Sequence, residues 1–379
     1  MGSLSYIKRL FASGLLDELS EKGLFAKAWI TDFTCEGKLV TEQEIIEPIE
    51  QNGFSQWSFL MQRDVALLVL QVNEICNRYG YQLMDCHQGN MLFSGQTPIY
   101  IDLGSIAKWT GGWRATSEFI TTYYYVLLLW SRGYKKLSSA ILESRLRMDR
   151  KSVELIVKGV LGEEYIIEKF DPDYMRNWLN NVENADDQFW SHYQDDMWKQ
   201  DVASNKRFQR EIDWINSKNI SSMVELGANQ GYFSYNVAIN TNVKSIVATD
   251  YDSSAVDTMY SKFKTMEKGE MITPLCVDFT GVVSPIRCDL VVANALVHHL
   301  IFTNHMRIGA IVDKLAAWTN KYLIVEFMPR GMSFGSRVPL WYTLDWFLNE
   351  LSKRFEIEKT EEATYGRIQI YAIKKEQNV

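Results

Sequence analysis

One ten-residue stretch, residues 224–233, constrains the fold of this chain more than any other. It reads VELGANQGYF: a short apolar run ends in Glu225, a turn containing Gly227, Asn229 and Gly231 follows, and a helix-like pattern comes next. Glycine lets the backbone approach a ligand where a Cβ would clash. The order of strand, tight turn and helix N-terminus is typical of nucleotide-binding corners in doubly wound α/β domains. The stretch therefore predicts such a corner.

The spacing of the turn narrows the class of nucleotide. It follows Glu-x-Gly-x-Asn-x-Gly, whereas binders of pyrophosphate carry G-x-G-x-x-G. A ligand without phosphates is therefore favoured. S-adenosylmethionine is such a ligand.

Composition limits the class of partner. The chain has 379 residues, which predicts about two domains, and a formal net charge of −7, which argues against nucleic acid or an anionic membrane surface as a partner. Its five cysteines form no C-x-x-C pair, so neither a disulfide framework nor a zinc site is indicated. The longest apolar run, residues 123–130, is too short to span a bilayer. We expect a cytoplasmic protein.

The two ends of the chain differ in pattern. After residue 222, β-branched runs alternate with helix-like segments, which predicts a Rossmann-like, mostly parallel sheet with helices on both faces. The runs are residues 223–226, 245–249, 272–277, 290–293, 322–325 and 368–373. The first part is mainly helical in pattern, with an amphipathic helix over 57–78. We therefore predict a helical domain over 1–185, a helical connector over 186–204 and an α/β domain over 205–379.

Acidic residues follow the predicted strands of the second part. Glu225 would meet the ammonium group of a methionine moiety, and Asp250, about 20 residues beyond the turn, would accept hydrogen bonds from ribose hydroxyls. Asp278 would accept from an adenine amino group, with Phe279 as an apolar wall, and Asn294 ends the fourth strand. The alternative is that these acids cap helices.

Residues 205–375 resemble the class I S-adenosylmethionine-dependent methyltransferases. The resemblance implies S-adenosylmethionine as cofactor, S-adenosylhomocysteine as product, and an antiparallel terminal pair formed by residues 355–360 and 366–374. Asn229 stands where many members of that family have a second glycine, and Asn tolerates left-handed backbone. The resemblance to this family implies eight cofactor-binding residues: Glu225, Gly227, Asn229, Gly231, Asp250, Asp278, Phe279 and Asn294.

The segment after the fourth strand indicates the reaction. It reads NALVHHL and lacks both the Asn/Asp-Pro-Pro-aromatic tetrad of nucleic-acid amine methylation and the Pro-Cys nucleophile of cytosine C5 enzymes. Its imidazoles, His298 and His299, have an ordinary pKa near ~6.5 and could assist a hydroxyl in losing its proton. This favours O-methylation of a small-molecule or glycan-like acceptor. Either histidine could instead cap the helix or fill the core.

Neighbouring residues on a helix point about 100° apart, so we expect one histidine to face the acceptor, with a slight preference for His299. Glu326 would orient a histidine or accept from the substrate. Two histidines with one carboxylate could instead hold a divalent ion, but nothing in the sequence fixes that geometry, and we predict no metal site. Residues 328–332 with the aromatic side chains near 341–346 would form either a substrate lid or part of the core.

The first part carries a second motif. Residues 84–93 read MDCHQGNMLF, and residues 99–105 read IYIDLGS. Both resemble the catalytic and metal-binding loops of protein-kinase-like phosphotransferases, particularly the aminoglycoside and choline kinase group. The resemblance implies that Asp85 receives the acceptor proton while Asn90 and Asp102 hold Mg²⁺ on the phosphates of ATP.

Other sequence features of a kinase are largely missing from this chain. Only 84 residues precede Asp85, no Gly-rich phosphate loop appears, and Lys27 is the nearest candidate for the ATP lysine. Leu83 stands where many members of that group have a histidine. We therefore favour a truncated, kinase-derived module. The alternatives are a bifunctional kinase and methyltransferase, and a noncatalytic nucleotide-binding protein.

Overall fold

The computed structural model describes residues 4–36, 38–45, 54–143, 148–185, 192–281, 284–332 and 338–376. The chain divides into two units, Met1–Asp187 and Gln188–Val379. Within the part that the structure describes, no helix is both long and apolar enough to cross a membrane.

The first unit is mainly helical. The predicted amphipathic helix is confirmed: it begins after Ser58, whose side chain accepts a hydrogen bond from the Met61 N–H, and it buries Val65, Leu68 and Val69. A π-helical turn, Ile120–Tyr124, joins the helix Thr116–Phe119 to the helix Tyr125–Trp130. The helices are α1 Leu4–Ala12, α2 Leu15–Glu21, α3 Phe59–Arg78, α4 Thr116–Phe119, α5 Tyr125–Trp130, α6 Lys135–Glu143, α7 Arg150–Val160 and α8 Pro172–Asn181.

Short antiparallel strand pairs complete the first unit. They are β1 Ala28–Cys35 with β2 Lys38–Gln43, β3 Tyr81–Leu83 with β6 Ile106–Lys108, and β4 Met91–Ser94 with β5 Thr97–Tyr100. The two kinase-like motif loops lie between these strands, one between β3 and β4 and the other between β5 and β6. The hydroxyl of Tyr100, which ends β5, donates to the backbone oxygen of Asp85 at 3.0 Å. The two loops are therefore held side by side.

The second unit contains a seven-stranded sheet in the order β12-β13-β11-β10-β7-β8-β9. β13 runs antiparallel to both of its neighbours, and the remaining pairs are parallel. The predicted α/β architecture and its terminal antiparallel pair are confirmed. The strands are β7 Ser222–Leu226, β8 Ser245–Asp250, β9 Ile272–Cys276, β10 Cys288–Ala293, β11 Thr319–Phe327, β12 Phe355–Glu362 and β13 Ile368–Lys374.

Helices alternate with these strands, and the central strands are buried along almost their whole length, as expected of parallel strands covered on both faces. Along the chain the sheet grows from β7 first through β8 and then through β10, which lies on the other side of β7. Ligands bind outside the carboxyl ends of strands at such a reversal. The helices are α9 Lys206–Asn216, α10 Tyr232–Asn240, α11 Ser253–Phe263, α12 Val297–Phe302, α13 Ile308–Trp318 and α14 Leu344–Leu351.

Candidate functional site

A cavity of about 650 Å³ lies at the carboxyl ends of the strands in the second unit. The predicted cofactor residues line it, with the exception of Gly231, and so do both predicted histidines. Gly231 serves packing, because a Cβ at this position would lie 2.6 Å from Cζ of Phe263. Glu326 lies outside the lining and is fully buried.

The turn after β7 has left-handed backbone at alternate positions. Gly227 has φ +71°, Asn229 φ +53° and Gly231 φ +76°. Asn229 thus adopts the conformation that its residue type tolerates, as the sequence predicted. A Cβ at Gly227 would also approach the Leu296 side chain to 3.3 Å, so this glycine keeps the turn close to the cavity wall.

Protein groups occupy the N-terminus of α10. The Ser234 N–H and hydroxyl both donate to Oε2 of Glu225, at 3.0 and 2.6 Å. The Tyr232 N–H donates to Oε1 of Gln194 at 3.2 Å. Burial raises the pKa of Glu225 to about 7, although the Ser234 hydrogen bonds oppose the rise. The amides that would face a phosphate in a dinucleotide site are therefore used by a carboxylate and an amide oxygen.

Asp250 is held at the end of β8 by backbone donors. Its Oδ2 accepts from the Asn229 N–H at 2.8 Å, and its Oδ1 accepts from the Asp252 N–H at 3.0 Å. Burial raises the pKa of Asp250 to about 6, although these hydrogen bonds oppose the rise. A carboxylate offers about four acceptor positions, so each oxygen can still accept a ribose hydroxyl. The cap of α11 is Asp252, so the helix-cap alternative does not apply to Asp250.

The loop after β9 is braced from α13. Oδ1 of Asp278 accepts from the backbone N–H and the hydroxyl of Thr280, at 2.8 and 2.6 Å. Lys314 donates from Nζ to the backbone oxygens of Phe279 and Gly281, at 2.7 and 2.6 Å. Phe279 lines the cavity in this fixed loop. Sequence reasoning missed Lys314, because a lysine on an amphipathic helix is an ordinary surface residue.

Asn294 and Ala295 form the turn that follows β10. Asn294 donates from Nδ2 to Oε2 of Glu211 at 2.8 Å, and its buried Oδ1 has no hydrogen-bond partner among the described residues. Ala295 has φ +49°, a strained value for a residue with a Cβ. Its N–H donates to Oε2 of Glu326 at 2.9 Å. Glu326 thus fixes the strained backbone that follows Asn294.

The two histidines face the cavity in different states of burial. His298 is 5% exposed, and its Nδ1 has no hydrogen-bond partner within the described parts of the chain. Burial, His299 and Arg367 lower the pKa of His298 to about 3. Burial alone lowers the pKa of His299, which is half-buried. The ordinary pKa expected from the sequence is wrong for both, and both imidazoles are neutral at neutral pH.

Glu326 pairs with arginines rather than with a histidine. Nε of Arg207 lies 2.6 Å from Oε1 of Glu326, and a guanidinium nitrogen of Arg367 lies 3.7 Å from Oε2. Both arginines line the cavity, whereas Glu326 lies beneath it. This geometry favours a structural role for Glu326 over the catalytic role expected from the sequence.

The segment before α9 and the first turn of α9 each supply a residue that sequence reasoning missed. Gln194 is buried, donates from Nε2 to the Ala228 oxygen at 3.1 Å and accepts from Tyr232, so it spans the turn after β7. Arg207 lies close enough to Glu225 to oppose the rise of its pKa. No motif surrounds either residue. Residues 192–204, assigned to a connector from the sequence, lie in the second unit and form short 3₁₀ turns.

Some residues of the candidate lid segment lie at the cavity or the surface, and others lie in the core. Met328 and Met332 line the cavity, and Trp341 is 50% exposed. Tyr342 is buried, and its ring centroid lies 4.8 Å from those of Phe302 and Phe327. Residues 333–337 lie outside the described residues.

The kinase-like residues of the first unit lie close together. Asn90 donates from Nδ2 to Oδ1 of Asp85, and Oδ1 of Asp102 accepts from the Gly104 N–H at 2.8 Å. Burial raises the pKa of Asp85, and Asp102 adds to the rise while His87 opposes it. Among the described residues, no group of three or more His, Cys, Asp and Glu side chains could hold a metal ion.

Comparison with known proteins gives distant similarities. No protein-family model matches. The chain is 22% identical over 334 residues to nodulation protein NoeA of Rhizobium meliloti (strain 1021), which covers 73% of this chain and 68% of the relative.

Structural neighbours of the chain include S-adenosylmethionine-dependent methyltransferases. One from Aquifex aeolicus has 11% identity and a TM-score of 0.40, covering 50% of this chain and 100% of its own. The magnesium protoporphyrin IX methyltransferase ChlM of Synechocystis PCC 6803, solved with bound cofactor, has 16% identity and a TM-score of 0.36, covering 55% and 100%. The N-methyltransferase NodS of Bradyrhizobium japonicum WM9 has 12% identity and a TM-score of 0.36, covering 46% and 99%.

Likeness at this level assigns neither a reaction nor an acceptor. None of these relatives supports the kinase-like interpretation of the first unit.

Proposed function

We propose that the second unit is an S-adenosylmethionine-dependent methyltransferase. The observation that carries the proposal is the carboxylate of Glu225 on the first turn of α10. A pyrophosphate at this turn would meet a carboxylate where it needs N–H donors, whereas an ammonium group would be attracted. The ligand that fits is a nucleoside with a cationic amino-acid tail.

Other lining residues fit the remaining parts of such a ligand. Asp250 would accept from the ribose hydroxyls, and Asp278 and Phe279 would hold the adenine in the braced loop. Arg207, beside Glu225, would pair with the carboxylate of the methionine moiety. When bound, the cofactor supplies an electrophilic methyl group, and S-adenosylhomocysteine is the product.

We propose O-methylation of a small-molecule or glycan-like acceptor. His299 would accept the proton of the acceptor hydroxyl, because it is neutral and only burial weakens it as a base. His298 is a weaker base and would instead orient the acceptor through its unpartnered Nδ1. We also propose the domain limits predicted from the sequence, which place the methyltransferase domain over residues 205–379. A cytoplasmic location stays a prediction.

Calorimetric titration with S-adenosylhomocysteine tests the proposal. Wild type should bind, and Asp250→Ala should lose at least about tenfold in affinity, which is about 1.4 kcal/mol. Asp313→Asn is the matched control, since this exposed acid pairs with Arg354 outside the cavity. Binding of NAD in place of S-adenosylhomocysteine would show that the proposal is wrong.

A second candidate function is phosphoryl transfer in the first unit, which would make the protein bifunctional. The contact of Asn90 with Asp85, and the proximity of Asp102, favour it. The test is release of ADP from ATP with Mg²⁺, compared between wild type and Asp102→Asn. Absence of turnover with both Mg²⁺ and Mn²⁺ would exclude it. Cofactor binding without turnover of any acceptor would instead identify a noncatalytic module.

A further inference from the structure

We propose that the acceptor carries an oxyanionic group, a carboxylate or a phosphate, which Arg367 and Arg330 recognise at the end of the cavity opposite the cofactor acids. The inference rests on the proposed methyltransferase function and specifies its substrate class. The acceptor would then be a hydroxylated acid.

The cavity is divided by charge. The acidic lining residues Glu225, Asp250 and Asp278 lie at the carboxyl ends of β7, β8 and β9, the strands on one side of the sheet. Arg330 follows β11, and Arg367 immediately precedes β13. Because β13 is antiparallel to β11, with Phe327 opposite Ile368, both guanidinium groups belong to the other end of the cavity. A molecule that spans the cavity therefore meets three acids, with Arg207 beside Glu225, at one end and Arg330 and Arg367 at the other.

The positive charge of Arg367 is only partly balanced. Its nearest guanidinium nitrogen lies 3.7 Å from Glu326, beyond hydrogen-bond distance, and Glu326 also pairs with Arg207 at 2.6 Å. Burial raises the pKa of the neighbouring Glu211, which favours the neutral form of that carboxyl. Two guanidinium groups thus share the single carboxyl group of Glu326, and both guanidinium groups belong to residues of the cavity lining.

Arg367 lies in the cavity lining near His298, the histidine expected to orient the acceptor. It is close enough to His298 to reinforce the effects of burial and His299 on that imidazole. Its side chain is 18% exposed, so water screens it little and a planar oxyanion can pair with it in bidentate fashion. Arg330 is exposed at the cavity wall and would meet the same group from the solvent side.

The surroundings of these arginines indicate the rest of the acceptor. Leu300, Met328 and Met332 add apolar side chains to the cavity lining, and Met328 and Met332 flank Arg330 in the sequence. Methionine side chains adapt to ligands of varied shape. The acceptor that fits has an apolar or aromatic body, a hydroxyl near the histidines and an anionic substituent.

The test is calorimetric titration of the full chain, saturated with S-adenosylhomocysteine, with benzoate and phenyl phosphate as anionic probes and benzamide and phenol as neutral ones. We expect the anions to bind and the neutral probes to bind at least about tenfold more weakly. Arg367→Gln should weaken anion binding at least about tenfold, Arg367→Lys should weaken it less, and Arg330→Gln should have a smaller effect. The tighter of the two anions identifies the oxyanion.

The control is Arg354→Gln, which removes an exposed arginine paired with Asp313 outside the cavity and should leave anion binding unchanged. Equal binding of benzamide and benzoate would overturn the proposal. It would also be overturned if Arg367→Gln weakened S-adenosylhomocysteine rather than the anions, because Arg367 would then serve the cofactor. Failure of the proposed function is distinguishable, since wild type would then not bind S-adenosylhomocysteine at all.

Discussion

At the scale of single residues, the buried carboxylates of the cavity are poised to lose protons when a ligand arrives. The pKa of Glu225 is raised to about 7 and that of Asp250 to about 6, in each case by burial. Raised carboxyl pKa values stabilise the empty protein below about pH 4, and this stabilisation is lost as the pH rises through 6 to 7. An ammonium group and hydroxyl donors favour the ionised forms, so ligand binding and ionisation are coupled.

This coupling predicts that the affinity for S-adenosylhomocysteine falls as the pH is lowered from about 8 to about 5.5. Protons should be released on binding, which calorimetry in buffers of different ionisation enthalpy measures. In Glu225→Gln the part of the dependence near pH 7 should disappear while the part near pH 6, from Asp250, remains. Affinity independent of pH in wild type would contradict the coupling.

The histidines give a second residue-scale prediction. In NMR titration of the full chain, the His298 ring should stay neutral to about pH 4, because burial, His299 and Arg367 lower its pKa to about 3. The His299 ring should titrate below the ordinary value near ~6.5. His298→Asn and His299→Asn each remove one signal and so assign it. Titration of both rings near the ordinary value would show that the site is open to water.

At the scale of elements, the segment 192–204 holds the turn that follows β7. Gln194 connects the Ala228 oxygen to the Tyr232 N–H, one on each side of Gly231. We predict that Gln194→Glu weakens S-adenosylhomocysteine binding about tenfold, because an oxygen would replace the amide donor to Ala228 in a buried place. Gln200→Glu is the matched control, since its side chain is exposed in the same segment. Equal binding by both variants in calorimetry would show that the turn keeps its shape alone.

The sheet elements were predictable and this segment was not, for a physical reason. Strands β7, β8 and β10 are buried on both faces, so they appear as apolar runs with Glu225, Asp250 and Asn294 at their carboxyl ends. Residues 192–204 form 3₁₀ turns without a period, and the pair Arg207 with Glu326 joins residues far apart in the chain. Sequence pattern reports local periodicity, whereas such contacts depend on tertiary packing.

At the scale of the whole molecule, the division into Met1–Asp187 and Gln188–Val379 predicts that cofactor binding depends on the second unit. In calorimetric unfolding of the full chain, S-adenosylhomocysteine at about 100 times its dissociation constant should stabilise wild type by about 2.7 kcal/mol. Asp250→Ala should abolish this shift. Asp102→Asn, in the first unit, should preserve it, because every predicted cofactor residue lies in the second unit. Loss of the shift in Asp102→Asn would contradict the assignment of cofactor binding to the second unit alone.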